Sequence, residues 1–304
     1  LNQAGVDDIL VVDNLGETDK WKNLVNRRYR DYLHKHQLLD RLESGSLGAV
    51  SAIIHMGACS ATTERDADYL MDNNLHYSQR LARYALSNGT RFINASSAAT
   101  YGNGDQGFSD DPQGHNDLKP LNMYGYSKHL FDLWARRENC LDRLASLKFF
   151  NVFGPNDYHK GDMCSVVYKA FHQVRNEGVI RLFKSYRQAY PDGGQQRDFV
   201  YVKDCVDLIW WLLEHPEIGG IFNVGTGEAR TWNDLATAVF KAMGKPPKIT
   251  YIDMPDHLRA HYQYHTCATI DRLRSVGYDR HATRLEEGVA DYVSRYLQEN
   301  DPYL

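Results

Sequence analysis

The 304 residues carry 35 Lys and Arg against 39 Asp and Glu, a formal charge of −4 without a basic stripe, which argues against nucleic acid as the main partner. Hydrophobic residues make up 42% of the chain, enough for a sizeable core, yet no apolar run approaches the roughly 18 residues of a membrane span. Five cysteines (Cys59, Cys140, Cys164, Cys205, Cys267) are scattered with no C-x-x-C pair and read as reduced thiols of a soluble, cytoplasmic protein.

In chain order, "LNQAGVDDILVVDN" (1–14) reads as the tail of a helix running into a buried strand, Ile9 to Val12, that ends at Asp13. This is the second half of a dinucleotide-binding unit, whose acidic residue follows a glycine-rich phosphate loop by about 20 residues. Twelve residues precede Asp13 and the chain does not begin with Met. The expectation is therefore that Leu1 is a cut point within a longer product, with the first strand and phosphate loop outside the chain. A missing central strand predicts unpaired ladder edges, weak cofactor binding and poor folding of the fragment alone.

Further short runs rich in β-formers fall at 50–54, 92–95 and 147–150, separated by helical patterns, notably 66–88 and 124–138. Such alternation predicts an α/β fold with a doubly wound parallel sheet. Regularity weakens over 151–195, where Pro, Gly and aromatics gather. Beyond it come a strand at 197–202, a helix at 203–214, a strand ending in a turn at 220–227, a helix near 231–243, a strand near 248–252 and a closing helix near 284–298. The expected division is a dinucleotide-binding domain of residues 1–150 and about 196–226, and a smaller α/β substrate-binding lobe of about 151–195 and 227–304. Ligands of open α/β sheets bind beyond the carboxyl ends of the strands. Four polar clusters fall there: Asp13-Asn14, "HMGACSATTE" (55–64), "SSAATYG" (96–102) and "NVFGP" (151–155).

"NMYGYSK" (122–128) sets Tyr124 and Lys128 four residues apart, on one face of a helix. A phenol of pKa about 10 is a poor base at neutral pH, and a neighbouring ammonium favours the phenolate. Tyr-x-x-x-Lys alone is a weak signal among 20 tyrosines and also suits a solvated helix face. The pair Ser96-Ser97 strengthens it, because a hydroxyl at that strand end can hydrogen-bond the same substrate oxygen. Tyr126 points elsewhere by its spacing and reads as packing.

With "VVDNL", "GACSATTE", "MDNN", "ASSAATYG", "PLNMYGYSK", "FFNVFGPNDYHKGDM", "DGGQQRDFVYV" and "GIFNVGTG", the chain resembles the ADP-glyceromanno-heptose 6-epimerases of the extended short-chain dehydrogenase/reductases over essentially its whole length. The resemblance implies an isomerase working by transient oxidation with bound NADP, NAD being the alternative, on a nucleotide-sugar in lipopolysaccharide precursor synthesis, as a homopentamer. It implies Tyr124 and Lys160 as the two acid/bases, with Ser97 polarising the reacting hydroxyl and Lys128 holding the nicotinamide ribose while lowering the phenol pKa. Asp13 and Asn14 would meet the adenosine ribose, and Lys20 and Lys35 its 2′-phosphate. Met56, Gly57, Ala58, Cys59, Ser60, Asn73, Val152 and Lys160 would line the cofactor. The substrate would meet Ser97, Asn151, Asp162, Lys169, Phe183, Tyr186, Arg197 and Tyr262. Members often carry Glu, Ser and His where this chain has Met56, Asp162 and Lys169.

Other classes were weighed on the same residues. A dehydratase usually carries an acidic pair after the active-site Ser or Thr, whereas Ala98-Ala99 follow Ser97. A non-catalytic nucleotide-binding protein on this fold is disfavoured by the presence of both Tyr124 and Lys128. His257, His261 and His265 have a helical spacing open to zinc ligation, but Pro255 and the Tyr-rich surroundings suit an irregular substrate-facing loop equally, and no metal is expected. Lys160 on spacing alone could be a surface lysine. "RQAYPDGGQQ" (187–196) reads as a loop delivering Arg197, whose guanidinium fork suits a diphosphate.

Overall fold

The computed structural model describes residues 1–259 and 262–303, except for the side chain of His257. Its elements are β1 (Leu10–Asp13), β2 (Asp31–His34), α1 (Lys35–Glu43), β3 (Ala52–His55), α2 (Ala67–Leu70), α3 (Tyr77–Asn88), β4 (Arg91–Ser97), α4 (Met123–Arg137), β5 (Leu144–Phe149), β6 (Asn151–Phe153), α5 (Val166–Glu177), β7 (Ile180–Phe183), β8 (Gln196–Tyr201), α6 (Val202–Glu214), β9 (Gly220–Val224), β10 (Ala229–Thr231), α7 (Trp232–Ala242), β11 (Ile249–Ile252), α8 (Asp256–Arg259), α9 (Asp271–Ser275) and α10 (Leu285–Tyr292).

The main sheet has the order β3-β4-β5-β9 and is parallel throughout. Its strands are rich in apolar residues because both faces are covered. On one face Leu81, Ala82 and Ala85 of α3 and Phe131 and Trp134 of α4 pack with Phe92 and Leu144 of the sheet, joined by Leu38, Leu39 and Leu42 of α1. On the other, Cys205, Leu208 and Leu212 of α6 meet Ile93, Ala145, Leu147 and Phe222. Each such leucine removed from water contributes about 1.5–3 kcal/mol. Helices on both faces of a parallel sheet make the doubly wound α/β fold expected from the alternation.

β1 and β2 form their own parallel pair rather than joining the main sheet. Residues Leu10–Asp13 are all half-buried, as are Ala52 to Ile54 of β3. The second half of the chain builds another core from α5, α7 and α10, with Val167, Phe171, Leu235, Val239, Val289 and Tyr292 at its centre. Two smaller sheets accompany it, β10-β8-β6 and β11-β7. The strand predicted at 197–202 is β8, which runs parallel to β6 and antiparallel to β10.

α2 and α3 are one helix interrupted by a π-helical stretch, Met71–His76. The wider turn swings the side chains of Asn73 and Asn74 together toward the carboxyl ends of the strands, where such bulges commonly serve sites.

Candidate active site

α4 begins at the carboxyl end of β4. Asn122 caps it, accepting from the Gly125 N–H at 2.8 Å, which places Tyr124 in the first turn. Ser127 Oγ donates to the Tyr124 carbonyl at 2.7 Å and receives the Asn74 amide at 3.1 Å. Asn74 also brackets Cys59, accepting from its N–H and donating to its carbonyl, both at 2.9 Å. One fully buried amide thus ties the 56–60 loop to the helix carrying Tyr124 and Lys128.

Ser97 ends β4 and accepts the Ala99 N–H at 3.1 Å, opening a short 3₁₀ turn, Ala98–Tyr101. Its hydroxyl also lies near enough to the Tyr124 phenol to influence its titration. Burial raises that phenol above its ordinary value, with Ser97 opposing. Lys128, on the same helix face, points its ammonium at the Ala95 carbonyl of β4, 2.6 Å away, and burial brings its pKa down to about 8. Burial, rather than Lys128, is the first influence on the Tyr124 phenol in this structure. Desolvation dominates the phenol, and the lysine charge is spent on β4 and on Asp132 one turn further along α4.

Gly125 lies against the Ala99 backbone, and a Cβ there would sit 2.7 Å from the Ala99 oxygen. Gly125→Ala must push α4 away from the Ser97 turn. It should cost about 1–3 kcal/mol and, through misplacement of Tyr124, on the order of 100-fold in turnover. Thermal melts and rate assays check this, with Gly114→Ala, which adds a methyl to open space, as the unaffected control.

At the cofactor end, Asp13 accepts from Lys20 Nζ at 2.5 Å, and Lys20 also reaches the Asn14 carbonyl at 3.3 Å. Lys35 Nζ donates to Asn73 Oδ1 at 2.5 Å. Met56, Gly57 and Ser60 are exposed beside half-buried Ala58 and Cys59, and Val152 is exposed on β6. An acidic strand end, flanking ammonium groups and an open glycine-containing loop fit a nicotinamide dinucleotide. The G-x-G-x-x-G run at Gly102–Gly107 is no phosphate cradle. It follows the Ser97 turn, a Cβ on Gly102 would collide with the Lys119 carbonyl, and no helix opens there.

Arg197 is 7% exposed and, among the described residues, has no carboxylate partner; its guanidinium lies 5.1 Å from the Tyr262 ring and 5.7 Å from that of Trp232. Trp232 Nε1 donates to the Tyr262 hydroxyl at 3.0 Å, a residue that sequence reading missed because only the fold joins positions 197, 232 and 262. Tyr186 is exposed, stacked 4.0 Å from the Arg259 guanidinium, and its hydroxyl donates to Asp253 at 2.9 Å. Phe183 ends β7 and is half-buried. Asn151 is exposed on β6.

Lys160 and Asp162 are exposed on a 3₁₀ turn, Tyr158–Met163, and Lys169 Nζ donates to the Asp162 carbonyl at 2.6 Å. Among the described residues no hydrogen bond or ion pair joins Lys160 to Tyr124, Ser97 or Lys128. Nor do three His, Cys, Asp or Glu side chains converge as a metal would require. His265 bonds Gln196 Oε1 at 2.9 Å, while His261 and the His257 side chain lie outside the described residues.

A model of the NAD dependent epimerase/dehydratase family matches residues 1–225. An ADP-L-glycero-D-manno-heptose-6-epimerase of Nitratidesulfovibrio vulgaris (strain DP4) is 62% identical, the alignment covering 100% of this chain and 94% of the relative. That of Fusobacterium nucleatum subsp. nucleatum is 46% identical over 100% of this chain and 95% of its own. The solved Helicobacter pylori ADP-L-glycero-D-manno-heptose-6-epimerase superposes with a TM-score of 0.79 at 25% identity, over 95% of this chain and 87% of that one. The Thermotoga maritima UDP-glucose 4-epimerase, solved with UDP-glucose, shares the fold at a TM-score of 0.76 and 21% identity, over 96% and 91%. A half-buried tyrosine beside a buried serine and lysine at the end of a parallel strand, on this fold and with these relatives, leads to one assignment: the chain is an isomerase belonging to the NAD dependent epimerase/dehydratase family, within its ADP-L-glycero-D-manno-heptose-6-epimerases.

Proposed function

We propose that the protein inverts C6 of ADP-D-glycero-D-manno-heptose to give ADP-L-glycero-D-manno-heptose, a lipopolysaccharide core precursor, by transient oxidation and re-reduction at one site with bound NADP. The gathering of Tyr124 and Lys128 on one face of α4 against the β4 end that carries Ser97, in a chain 62% identical to a named heptose epimerase, carries this reading.

A bound nicotinamide supplies a hydride acceptor and donor, so the net redox change is zero. Tyr124 moves the C6 hydroxyl proton on one side of the sugar while Ser97 polarises the same oxygen. Lys160 serves the other side, because the oxygen lies differently before and after inversion. Lys128 holds the nicotinamide ribose. Arg197, desolvated and without a carboxylate, takes the diphosphate, with Phe183, Tyr186 and Tyr262 toward the nucleotide and Asn151, Asp162 and Lys169 toward the heptose.

An acidic strand end ordinarily repels a 2′-phosphate. Here Lys20 sits on the Asp13 carboxylate and offsets its charge, and Lys35 stands nearby, which favours NADP over NAD. A homopentamer in the cytoplasm completes the proposal, supported by the sequence resemblance and by five free thiols. Among the described residues no helix is long and apolar enough to cross a membrane. Ala98-Ala99 after Ser97 provide no acid for eliminating water, which favours epimerisation over dehydration.

The test is incubation with ADP-D-glycero-D-manno-heptose followed by chromatography. The L-glycero epimer should form, with UDP- and GDP-sugars unchanged. Conversion of only the UDP- or GDP-sugars would overturn the assignment.

A further inference from the structure

The turn that presents Lys160 has few bonds of its own. It is a single 3₁₀ stretch broken at Gly161, where φ is 53° and ψ −124°, and Lys160, Gly161, Asp162 and Met163 are all exposed. A short irregular segment of this kind frays unless its ends are tied. The Tyr158 hydroxyl donates to the Pro302 carbonyl at 2.7 Å and Lys169 holds the Asp162 carbonyl, while one further side chain bridges the two ends. Asp157, immediately before the turn and 9% exposed, accepts the Ser165 N–H, immediately after it, through Oδ2 at 2.7 Å. Its Oδ1 accepts the hydroxyl of Tyr292 at 2.7 Å, and Tyr292 is fully buried on α10 in the core of the second half.

The Asp157 backbone repeats the pattern. Its carbonyl accepts the Lys160 N–H at 3.1 Å and the Cys164 thiol at 3.1 Å, while Cys164 N–H donates to the Gly161 carbonyl at 3.1 Å. Ser165 then caps α5, its hydroxyl accepting the Tyr168 N–H at 3.3 Å. One buried carboxylate thus closes a nine-residue loop from Asp157 to Ser165 and fastens it to a rigid helix. A charge taken this far out of water is expensive without such partners, so its placement calls for a use.

We propose that Asp157 is a positioning residue of the epimerase: its carboxylate, anchored by Tyr292, clasps the loop and holds Lys160 where it can serve as the second acid/base. This rests on the reading of Lys160 given above. Tyr292→Phe removes one bond of the clasp and no packing volume. Asp157→Asn keeps the shape but offers one acceptor where two are used, and turns an N–H toward a donor.

The experiment compares both variants with Lys160→Met in the cofactor-loaded enzyme, mixing each C6 epimer separately in a single turnover and following the near-ultraviolet absorbance of reduced nicotinamide. The epimer served by Tyr124 should still be oxidised in Lys160→Met, and the other should lag. Asp157→Asn and Tyr292→Phe should lag for the same epimer, by about tenfold or more, the worth of a hydrogen bond to a charge. Hydrogen exchange of residues 158–164 should quicken by a similar factor in both, and stay at the wild-type rate in Lys160→Met. Equal slowing of both epimers in the clasp variants, or unchanged exchange, overturns the positioning role while Lys160 stands. Equal slowing of both epimers in Lys160→Met overturns the acid/base reading of Lys160, and the positioning role with it.

Discussion

Lys148→Met should destabilise the protein by about 3–5 kcal/mol, because it strands a buried carboxylate. Lys148 on β5 and Asp132 on α4 pair at 2.8 Å with neither side chain exposed to water. Asp132 also accepts from Ser96 Oγ at 2.8 Å and Ser146 Oγ at 2.7 Å, and Lys148 donates to Thr100 Oγ1 at 2.7 Å while lying 4.9 Å from the Tyr101 ring. These groups sit directly behind Ser97, so the pair joins the catalytic strand end to the helix of Tyr124 and Lys128.

Burial acts to raise the Asp132 pKa, but Lys148 and the hydroxyls outweigh it and hold the carboxyl below its ordinary value. That contribution is present at neutral pH and is lost as pH falls through the folded pKa. In Lys148→Met the Ser96 and Ser146 hydroxyls stay, but the largest influence opposing burial is gone, so the folded pKa should rise above the unfolded one and the sign reverse. The variant should be nearest to wild type in acid and fall further behind as pH climbs from about 4 toward neutrality. Denaturant titrations across that range check this. A constant deficit at every pH would mean that lost packing, not the stranded charge, is responsible. Adding Asp132→Leu should recover part of the loss, since an apolar pair of similar volume avoids the desolvation cost.

Tyr124→Phe should lower turnover by about 100- to 10,000-fold, the range that a positioned acid/base supplies. The ring keeps its place: Asn122 still caps α4, and Ser127 still bonds the backbone carbonyl of residue 124. Only the phenolic hydroxyl facing Ser97 is lost. Substrate affinity should therefore change little, the signature of an interaction used in the transition state. Tyr126→Phe, two residues away and 43% exposed, should stay near the wild-type rate. A Tyr124→Phe enzyme retaining a tenth of its activity would take the phenol out of the reaction.

The main sheet was legible because its strands are buried on both faces. The runs 50–54, 92–95 and 147–150 stand out and become β3, β4 and β5, and Ile9 to Val12 becomes β1 of the separate pair. β2 and α1 were missed, since "DYLH" and "KHQLLDRLE" are mostly polar and bury only Leu33 and three leucines of α1. α5 and β7 went unread among the Pro, Gly and aromatics of 151–195, although Val167, Ala170, Phe171 and Val174 keep helical spacing. The π-helical turn shifts the register by one residue, so no periodicity of 3.6 could have placed Asn73 and Asn74 side by side.

The chemistry followed the same division. Tyr124, Lys128 and Ser97 could be read from one helix and one strand end. Trp232 against Arg197, Asp132 against Lys148, and Asp157 against Tyr292 pair residues far apart in the chain, and a charge in a sequence reads as solvated until the fold buries it. One signal was available in "LASLKFF": a lysine inside a strand that is apolar on both faces needs a buried counter-ion.

The central claim is that one closed site removes and returns the same hydrogen at C6. ADP-heptose deuterated at C6, converted in ordinary water, should yield the L-glycero epimer with the deuterium still at C6. A product carrying solvent hydrogen there would show inversion by deprotonation of carbon instead, and would contradict the account.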